Sequence, residues 1–294
     1  MSSSIRELTI KDHEHVNNLC KTVWNGNDYV PQIFQSWIEN PLSQTLGLFE
    51  NGDLVAFGNL EKVEGTDTAW VQGLRVKDGH REKGHATTIT NALVTLANGL
   101  DISTLWYATS SRNQSSMKVA EKCGFHKADS TGYFRIYAPY PPHPRPSLSI
   151  VPLKIDAERL YELLTINPDL VESNTFPLAW HFDFKTEKGL TRLLQNAEIK
   201  AVVDESGVVS AVYCLVLRER NDEATAAFTV FSTDRGVFVD IMSRMIDQAE
   251  ALGADRAVFF LGPRVKEWAL NLGYVSDEFV GRKFLLYEKN PREK

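Results

Sequence analysis

The run Gly73-Leu74-Arg75-Val76-Lys77-Asp78-Gly79-His80-Arg81-Glu82-Lys83-Gly84-His85-Ala86 constrains this chain more than any other. An apolar, strand-like stretch ends at Val76, a polar loop follows, and a helix-like stretch from Thr87 to Leu96 starts just past Gly84. A loop of this shape leaves backbone N–H groups unpaired at a helix N-terminus. With the positive end of the helix dipole they form an anion site, suited to a phosphate or pyrophosphate. Gly84, with no Cβ, lets the backbone come close to a bulky ligand. Neither Gly-x-x-x-x-Gly-Lys-Ser/Thr nor Gly-x-Gly-x-x-Gly occurs, so the loop is not a nucleotide P-loop or a dinucleotide fingerprint.

The rest of the chain narrows the class. Its 294 residues allow two ordinary domains. A net charge of −6 argues against nucleic acid as the main partner, because binding a phosphate backbone needs a basic surface. No apolar run reaches the roughly 18–20 residues that span a bilayer, and Met1–Arg6 has no apolar signal-peptide core, so no membrane partner is expected. Cys20, Cys123 and Cys214 are odd in number and far apart, which suits a reduced, cytoplasmic protein. His13 and His15 lack further ligands in sequence, and no metal site is expected.

Proline divides the chain. Five prolines between Pro139 and Pro146 cannot continue a helix or a central strand and favour an extended spacer. The expected division is a first domain over 1–138, a linker over 139–148 and a second domain over 149–294. In the first domain the pattern predicts a strand (5–8), helices (12–23 and 30–37) and a hairpin (46–49, 54–60) around Asn51-Gly52-Asp53. There follow a strand (69–76), a helix (86–97), a strand (104–109), a helix (115–122) and a closing strand (133–137). The second half repeats this order: helices near 160–164 and 188–195, a hairpin around Glu205-Ser206-Gly207, a strand (224–231), a helix (238–252), a strand (257–261), a helix (265–272) and a closing strand (284–287). Leu272-Gly273-Tyr274 stands where Cys123-Gly124-Phe125 stands in the first half. A repeat on this scale suggests duplication.

The loop resembles the acetyl-CoA loop of the GNAT N-acetyltransferases, Arg/Gln-x-x-Gly-x-Gly/Ala, with Arg81, Gly84 and Ala86 in the matching places. Asn113 after the next strand and Gly124-Phe125 after the next helix also fit that family, and the likeness covers about residues 5–137. It implies an α/β fold with a mixed sheet, present here as two tandem GNAT-like domains, and acetyl-CoA as co-substrate. The second copy is expected to be degenerate: its loop, Phe231-Ser232-Thr233-Asp234-Arg235-Gly236, is short, and Asp234 would repel an anion. Docking on the first domain, shaping its substrate cleft, mediating a homodimer and structural filling are the roles open to it.

In the family the strands matching 69–76 and 104–109 splay apart and the pantetheine arm enters between them. The resemblance therefore implies a donor site made of Leu74, Arg75, Val76, Arg81, Glu82, Lys83, Gly84, His85, Ala86, Asn113 and Ser116, with a backbone N–H at Leu74 or Arg75 facing the thioester oxygen. Two positions depart from the family. Ala120 stands where many members carry a Tyr acid, leaving that role to Ser116, Tyr107 or a water, or the thiolate to leave unassisted. Gln72 stands near where many carry a Glu base, leaving Glu61, Glu64 and Asp28 as candidate bases and Gln72 to orient a water or bind substrate. The acceptor site should form on Asp28, Tyr29 and Phe34, where aromatics beside a carboxylate suit a small amine. Asp28–Pro31, Trp37–Pro41 and Gln72–Val76 further resemble the branch containing histidine N-acetyltransferases, which implies a free amino acid whose carboxylate Arg75 could pair. The expected activity is acetyl transfer to a small amine or amino acid. Transfer to peptide N-termini and non-catalytic acyl-CoA sensing are the alternatives.

Overall fold

The structure, a computed structural model, describes residues 3–143, 145, 150–203, 208–220 and 223–293. The Glu205-Ser206-Gly207 turn and part of the proline-rich spacer lie outside these residues. The chain forms two compact units, Met1–Ala128 with Leu285–Lys294, and Asp129–Phe284.

The first unit opens with β1 (Ser3–Glu7), α1 (His13–Cys20) and α2 (Val30–Glu39). A meander follows, β2 (Ser43–Glu50), β3 (Asp53–Lys62) and β4 (Thr68–Val76), then α3 (His85–Gly99), β5 (Thr104–Ser110) and α4 (Gln114–Lys122). Asn51 and Gly52 both have positive φ (52° and 89°), the geometry of a tight two-residue hairpin turn, so the Asn-Gly signal sets the β2–β3 register. Asp12 stands at the α1 N-cap, yet its carboxylate turns to Arg6 at 2.6 and 2.9 Å instead of capping the helix. β1 to β4 pair antiparallel and β4 pairs β5 in parallel. One sheet face carries α1 and α2 over Leu8, Val16, Phe34, Trp37 and Phe57; the other carries α3 and α4 over Leu60, Val71, Ile89, Leu93 and Leu105.

The second unit contains most of β6 (His126–Tyr137), then β7 (Leu153–Lys154), α5 (Ala157–Ile166), β8 (Thr175–Leu178), β9 (His181–Phe184), α6 (Glu187–Leu194) and β10 (Glu198–Val203). It continues with β11 (Val209–Arg220), β12 (Glu223–Ser232), α7 (Arg235–Ala251), β13 (Arg256–Leu261) and α8 (Pro263–Asn271). β7, β10, β11 and β12 pair antiparallel, and β12 pairs β13 in parallel, the same order as β1 to β5. The small β8–β9 hairpin has no counterpart in the sequence reading.

The compact units do not follow a simple division at the prolines, because the closing strands are exchanged. β6, expected to close the first unit, pairs β13 of the second from Gly132↔Leu261 to Tyr137↔Arg256. Rings stacked across that pair, Phe134 on Phe259 at 4.9 Å and Tyr133 on Phe260 at 5.8 Å, fix the register. The first unit is closed instead by the last strand, β14 (Lys283–Lys289), next to β5. Its Leu285 and Tyr287 enter the core under α3 and α4, and Glu288 accepts the Trp106 Nε1–H at 3.0 Å. Sequence adjacency favoured the wrong strand: both closers have the same apolar pattern, and only their ring and carboxylate partners distinguish them.

Candidate active site

The site grows from a break in pairing. β4 and β5 hold together at only Thr68↔Thr104, Ala69↔Leu105 and Trp70↔Trp106. Beyond the Trp70–Trp106 edge-to-face contact at 5.3 Å, the described residues of the two strands pair no further. Val71–Val76 and Tyr107–Ser110 therefore flank a slot into which an extended ligand can bring its own hydrogen-bonding groups.

A bulge lies on the β4 side of this slot. Phe57 pairs Arg75 and Asn59 pairs Gln72, so Gly73 and Leu74 together oppose the single residue Gly58. Gly73 has φ +63°, and a Cβ there would lie 2.2 Å from Trp37 Cη2. Only glycine fits, and Trp37 braces the bulge from the α2 side. A bulge takes a backbone group out of the ladder, and here Leu74 has no register partner on β3.

At the end of β4 the loop turns through Glu82 (φ +64°) and Gly84 (φ +87°) into α3. Gly84 is the N-cap residue, and no side chain among the described residues caps the helix. The first-turn N–H groups of His85, Ala86 and Thr87 thus keep their donor capacity. A Cβ at Gly84 would meet nothing within 4 Å, so the space in front of the helix is open. Uncapped donors, helix dipole and open approach fit a phosphate group. The Arg81 guanidinium is exposed and tied to Asp78 at 2.9 Å, and Glu82 and Lys83 are exposed.

Across the slot, the Asn113 side chain caps α4, accepting from Ser116 N at 3.2 Å and from the Ser115 hydroxyl at 2.9 Å. Ser116 Oγ and the Tyr107 hydroxyl share a hydrogen bond of 2.5 Å. Burial pushes the Tyr107 phenol above its ordinary value, against the Ser116 bond, so it stays protonated. Ala120 is fully buried in the core beneath α4.

On the other sheet face Gln72 Nε2 donates to Glu61 Oε2 at 2.5 Å, and Asn40 Nδ2 to Glu61 Oε1 at 3.3 Å. Burial raises the Glu61 carboxyl above the usual carboxylate range, and the Gln72 bond opposes this without cancelling it. Of the three expected base candidates, Glu61 is the one that accepts from Gln72, near the bulge. Asp28 is committed elsewhere: Arg75 Nε and Nη2 grip it at 2.6 and 2.7 Å, and Val30 N donates to it at 3.1 Å. Burial alone would raise the Asp28 carboxyl; the Arg75 bonds and charge outweigh it and leave it below its ordinary value. The same guanidinium donates to the Leu74 carbonyl at 3.0 Å and lies 5.3 Å from the Tyr29 ring centre. Asp28 and Arg75, expected as separate contacts for an acceptor's amine and carboxylate, thus neutralise each other. Phe34, expected at the acceptor surface, is fully buried and stacked on His13 at 5.9 Å, so it offers no surface to a ligand. The sequence reading missed the role of Trp37 as the brace of Gly73; the glycine in an otherwise apolar strand was the available signal.

Residues 5–125 match the acetyltransferase (GNAT) family. Among solved structures, the GCN5-related N-acetyltransferase of Sphaerobacter thermophilus aligns over 99% of this chain and 96% of its own, with a TM-score of 0.66 at 13% identity. A tandem GNAT protein from the clavulanic acid biosynthesis pathway aligns over the whole of both chains, with a TM-score of 0.59 at 14% identity. Probable N-acetyltransferase 16 of Homo sapiens is 30% identical over 78 residues, 26% of this chain; the match spans only 21% of that relative's length. This chain has the fold of the GNAT N-acetyltransferases, in the tandem two-domain arrangement. No helix among the described residues is long and apolar enough to cross a membrane, and no cluster of three metal-ligating side chains occurs among them.

Proposed function

We propose that the first unit transfers an acetyl group from acetyl-CoA to the amine of a small molecule or free amino acid in the cytoplasm, by direct attack on the thioester. The observation that carries this reading is the β4–β5 slot, with the Leu74 bulge at its wall and the uncapped start of α3 at its mouth. The α3 N–H groups bind the donor's pyrophosphate, and Asn113 and Ser116 border the pantetheine arm. The Leu74 N–H stabilises the oxyanion, a preorganised contribution of about 3 kcal/mol. Glu61 takes the proton from the attacking amine through a water held by Gln72. As the C–N bond forms and the C–S bond breaks, the thiolate leaves with a hydrogen bond or proton from Tyr107, supported by Ser116. Tyr29 and the outer edge of Arg75 line the acceptor side, and Asp28 acts by holding Arg75 in place.

The second unit is read as degenerate. Its β12 and β13 pair all the way to Val230↔Leu261, and Asp234 caps α7 by accepting from Val237 N at 2.8 Å. Both features fill the places that the slot and the anion site occupy in the first unit.

The test is acetyl-CoA-dependent release of thiol across a panel of amino acids, small amines and short peptides. Activity confined to peptides would move the acceptor to protein N-termini; binding of CoA with no turnover on any acceptor would favour a sensor. Glu61→Gln should lower kcat by roughly 10²-fold, within the range of a general base. Because burial raises the Glu61 carboxyl, wild-type kcat should fall as pH drops through a value above the ordinary carboxylate range. An identical acid limb in Glu61→Gln would remove Glu61 from the mechanism.

A further inference from the structure

Two histidines bracket the donor loop, and both turn toward one carboxylate. His80 Nε2 lies 3.8 Å and His85 Nε2 3.6 Å from the oxygens of Glu50, at the tip of the β2–β3 hairpin. These distances are beyond hydrogen-bond range. The two rings are 6.0 Å apart. His80 Nδ1 and His85 Nε2 are buried with no hydrogen-bond partner, and the His85 side chain is only 10% exposed. In His85 the unpartnered nitrogen is the one that faces Glu50; in His80 the unpartnered nitrogen is Nδ1, while Nε2 faces Glu50, so each ring keeps one nitrogen toward the carboxylate and neither is held by a hydrogen bond to it.

The charge around the loop explains why that proton matters. Lys77, Arg81 and Lys83 are its basic groups. Against them stand Asp78 and Glu82 in the loop and Glu50 and Asp53 on the hairpin. Two of the three cations are already paired, Lys77 with Asp53 at 3.3 Å and Arg81 with Asp78 at 2.9 Å. α3 carries no charged residue besides His85 if that is protonated, and on β4 Arg75 is spent on Asp28. α4, packed against α3, adds Lys118, Glu121 and Lys122, with Glu121 accepting from Tyr287. With neutral histidines the loop and hairpin are therefore net acidic, a poor setting for a polyphosphate. The positive start of α3 also disfavours a cation at His85 until an anion arrives there.

We propose that His80 and His85, joined through Glu50, take up protons when the donor binds and supply the positive charge that the loop otherwise lacks. Protonation converts the two near contacts with Glu50 into ion pairs, drawing both ends of the Arg81–Gly84 segment onto the hairpin. Histidine is the side chain that changes charge between pH 5 and 8. By linkage, a donor that favours the protonated rings binds more tightly as pH falls. The inference rests on the loop being the acyl-CoA site, as proposed above.

The test is calorimetric titration with CoA from pH 6 to 8.5, in buffers of different ionisation enthalpy, so that proton uptake is read directly. The 3′-phosphate of CoA titrates near 6 itself, so 3′-dephospho-CoA is run as the second probe. Affinity for dephospho-CoA should rise roughly tenfold from pH 8.5 to pH 6, the size of a one-unit coupling between a charge and a proton. Uptake should fall in His80→Gln and His85→Gln and vanish in the double variant. Glu50→Gln, which keeps both rings, should also reduce it. Binding with the same uptake in wild type and double variant overturns the inference and leaves the donor site standing. Absence of CoA binding at every pH overturns the donor-site reading, and this inference with it.

Discussion

The two units present the same pair of parallel strands in opposite states. β4 and β5 part after three residue pairs, whereas β12 and β13 stay paired for six, with Gly262 N adding a further bond to Val230 O at 3.1 Å. The helix starts differ in the same sense. α3 begins uncapped behind an eight-residue polar loop, while α7 follows β12 after only Thr233 and Asp234 and is capped by Asp234. A slot needs something to hold strands apart, and in the first unit that is local. Gly73 gives the bulge, Trp37 fills the space beside it, and the Asp28–Arg75 pair ties the next residue to the segment preceding α2. Fold alone thus does not make the site. One bulge and one open helix end separate a strand pair that parts after three residue pairs from one that stays paired.

The largest break in this comparison comes from giving α3 a charge like that of α7. Gly84→Asp places a carboxylate at the open helix start. Two charges about 4 Å apart at an effective dielectric near 20 interact by about 4 kcal/mol, so CoA affinity should fall about a thousandfold. Nothing lies within 4 Å of the new Cβ, and Asp tolerates left-handed φ better than most residues, so the melting temperature should change little. Gly84→Asn, of the same shape without charge, should retain most of the affinity. Equal loss in both variants would mean that shape, not anion binding, governs this position.

Next in size is the bulge. Gly73→Val forces a side chain into Trp37 and into a φ of +63° that a β-branched residue does not adopt. The Leu74 N–H should swing out of line, lowering kcat by roughly 10²–10³-fold, as for loss of one oxyanion donor. The α3 loop is untouched, so CoA binding should persist. Gly73→Ala, a smaller intrusion, should show the same split between kcat and affinity to a lesser degree. Loss of CoA affinity in step with kcat would place the bulge in donor binding rather than in catalysis.

How much of this was legible beforehand follows from the range of each interaction. The loop, its glycine and the α3 start are local, and Gly84 with the helical pattern behind it revealed them. The tandem repeat was legible because periodicity and turns recur in order. The exchanged strands were not, because β6 and β14 have interchangeable patterns and Phe259, Trp106 and their partners lie far away in sequence. Nor was the Asp28–Arg75 pair, which spans 47 residues, or the contact of Gln72 with Glu61 that favours the proposed base, which needed the β3–β4 register. Phe34 misled for the ordinary reason that an aromatic beside a charged loop reads alike whether it faces a ligand or the core.

The smallest expected effect tests the second unit on its own terms. If Asp234 serves only to satisfy the start of α7, Asp234→Ala removes one cap and costs about 1 kcal/mol, seen as a melting shift of a few degrees. Donor affinity and turnover should not change, because an uncapped α7 still lies beside strands paired to their ends. The two residues between β12 and α7, Thr233 and Asp234, cannot form a loop like that spanning Lys77–Gly84, so freeing the helix N–H groups does not create a place for a pyrophosphate. A second CoA equivalent bound by Asp234→Ala, or by wild type, would show that paired strands do not exclude the donor. The contrast between the units would then rest on loop chemistry alone.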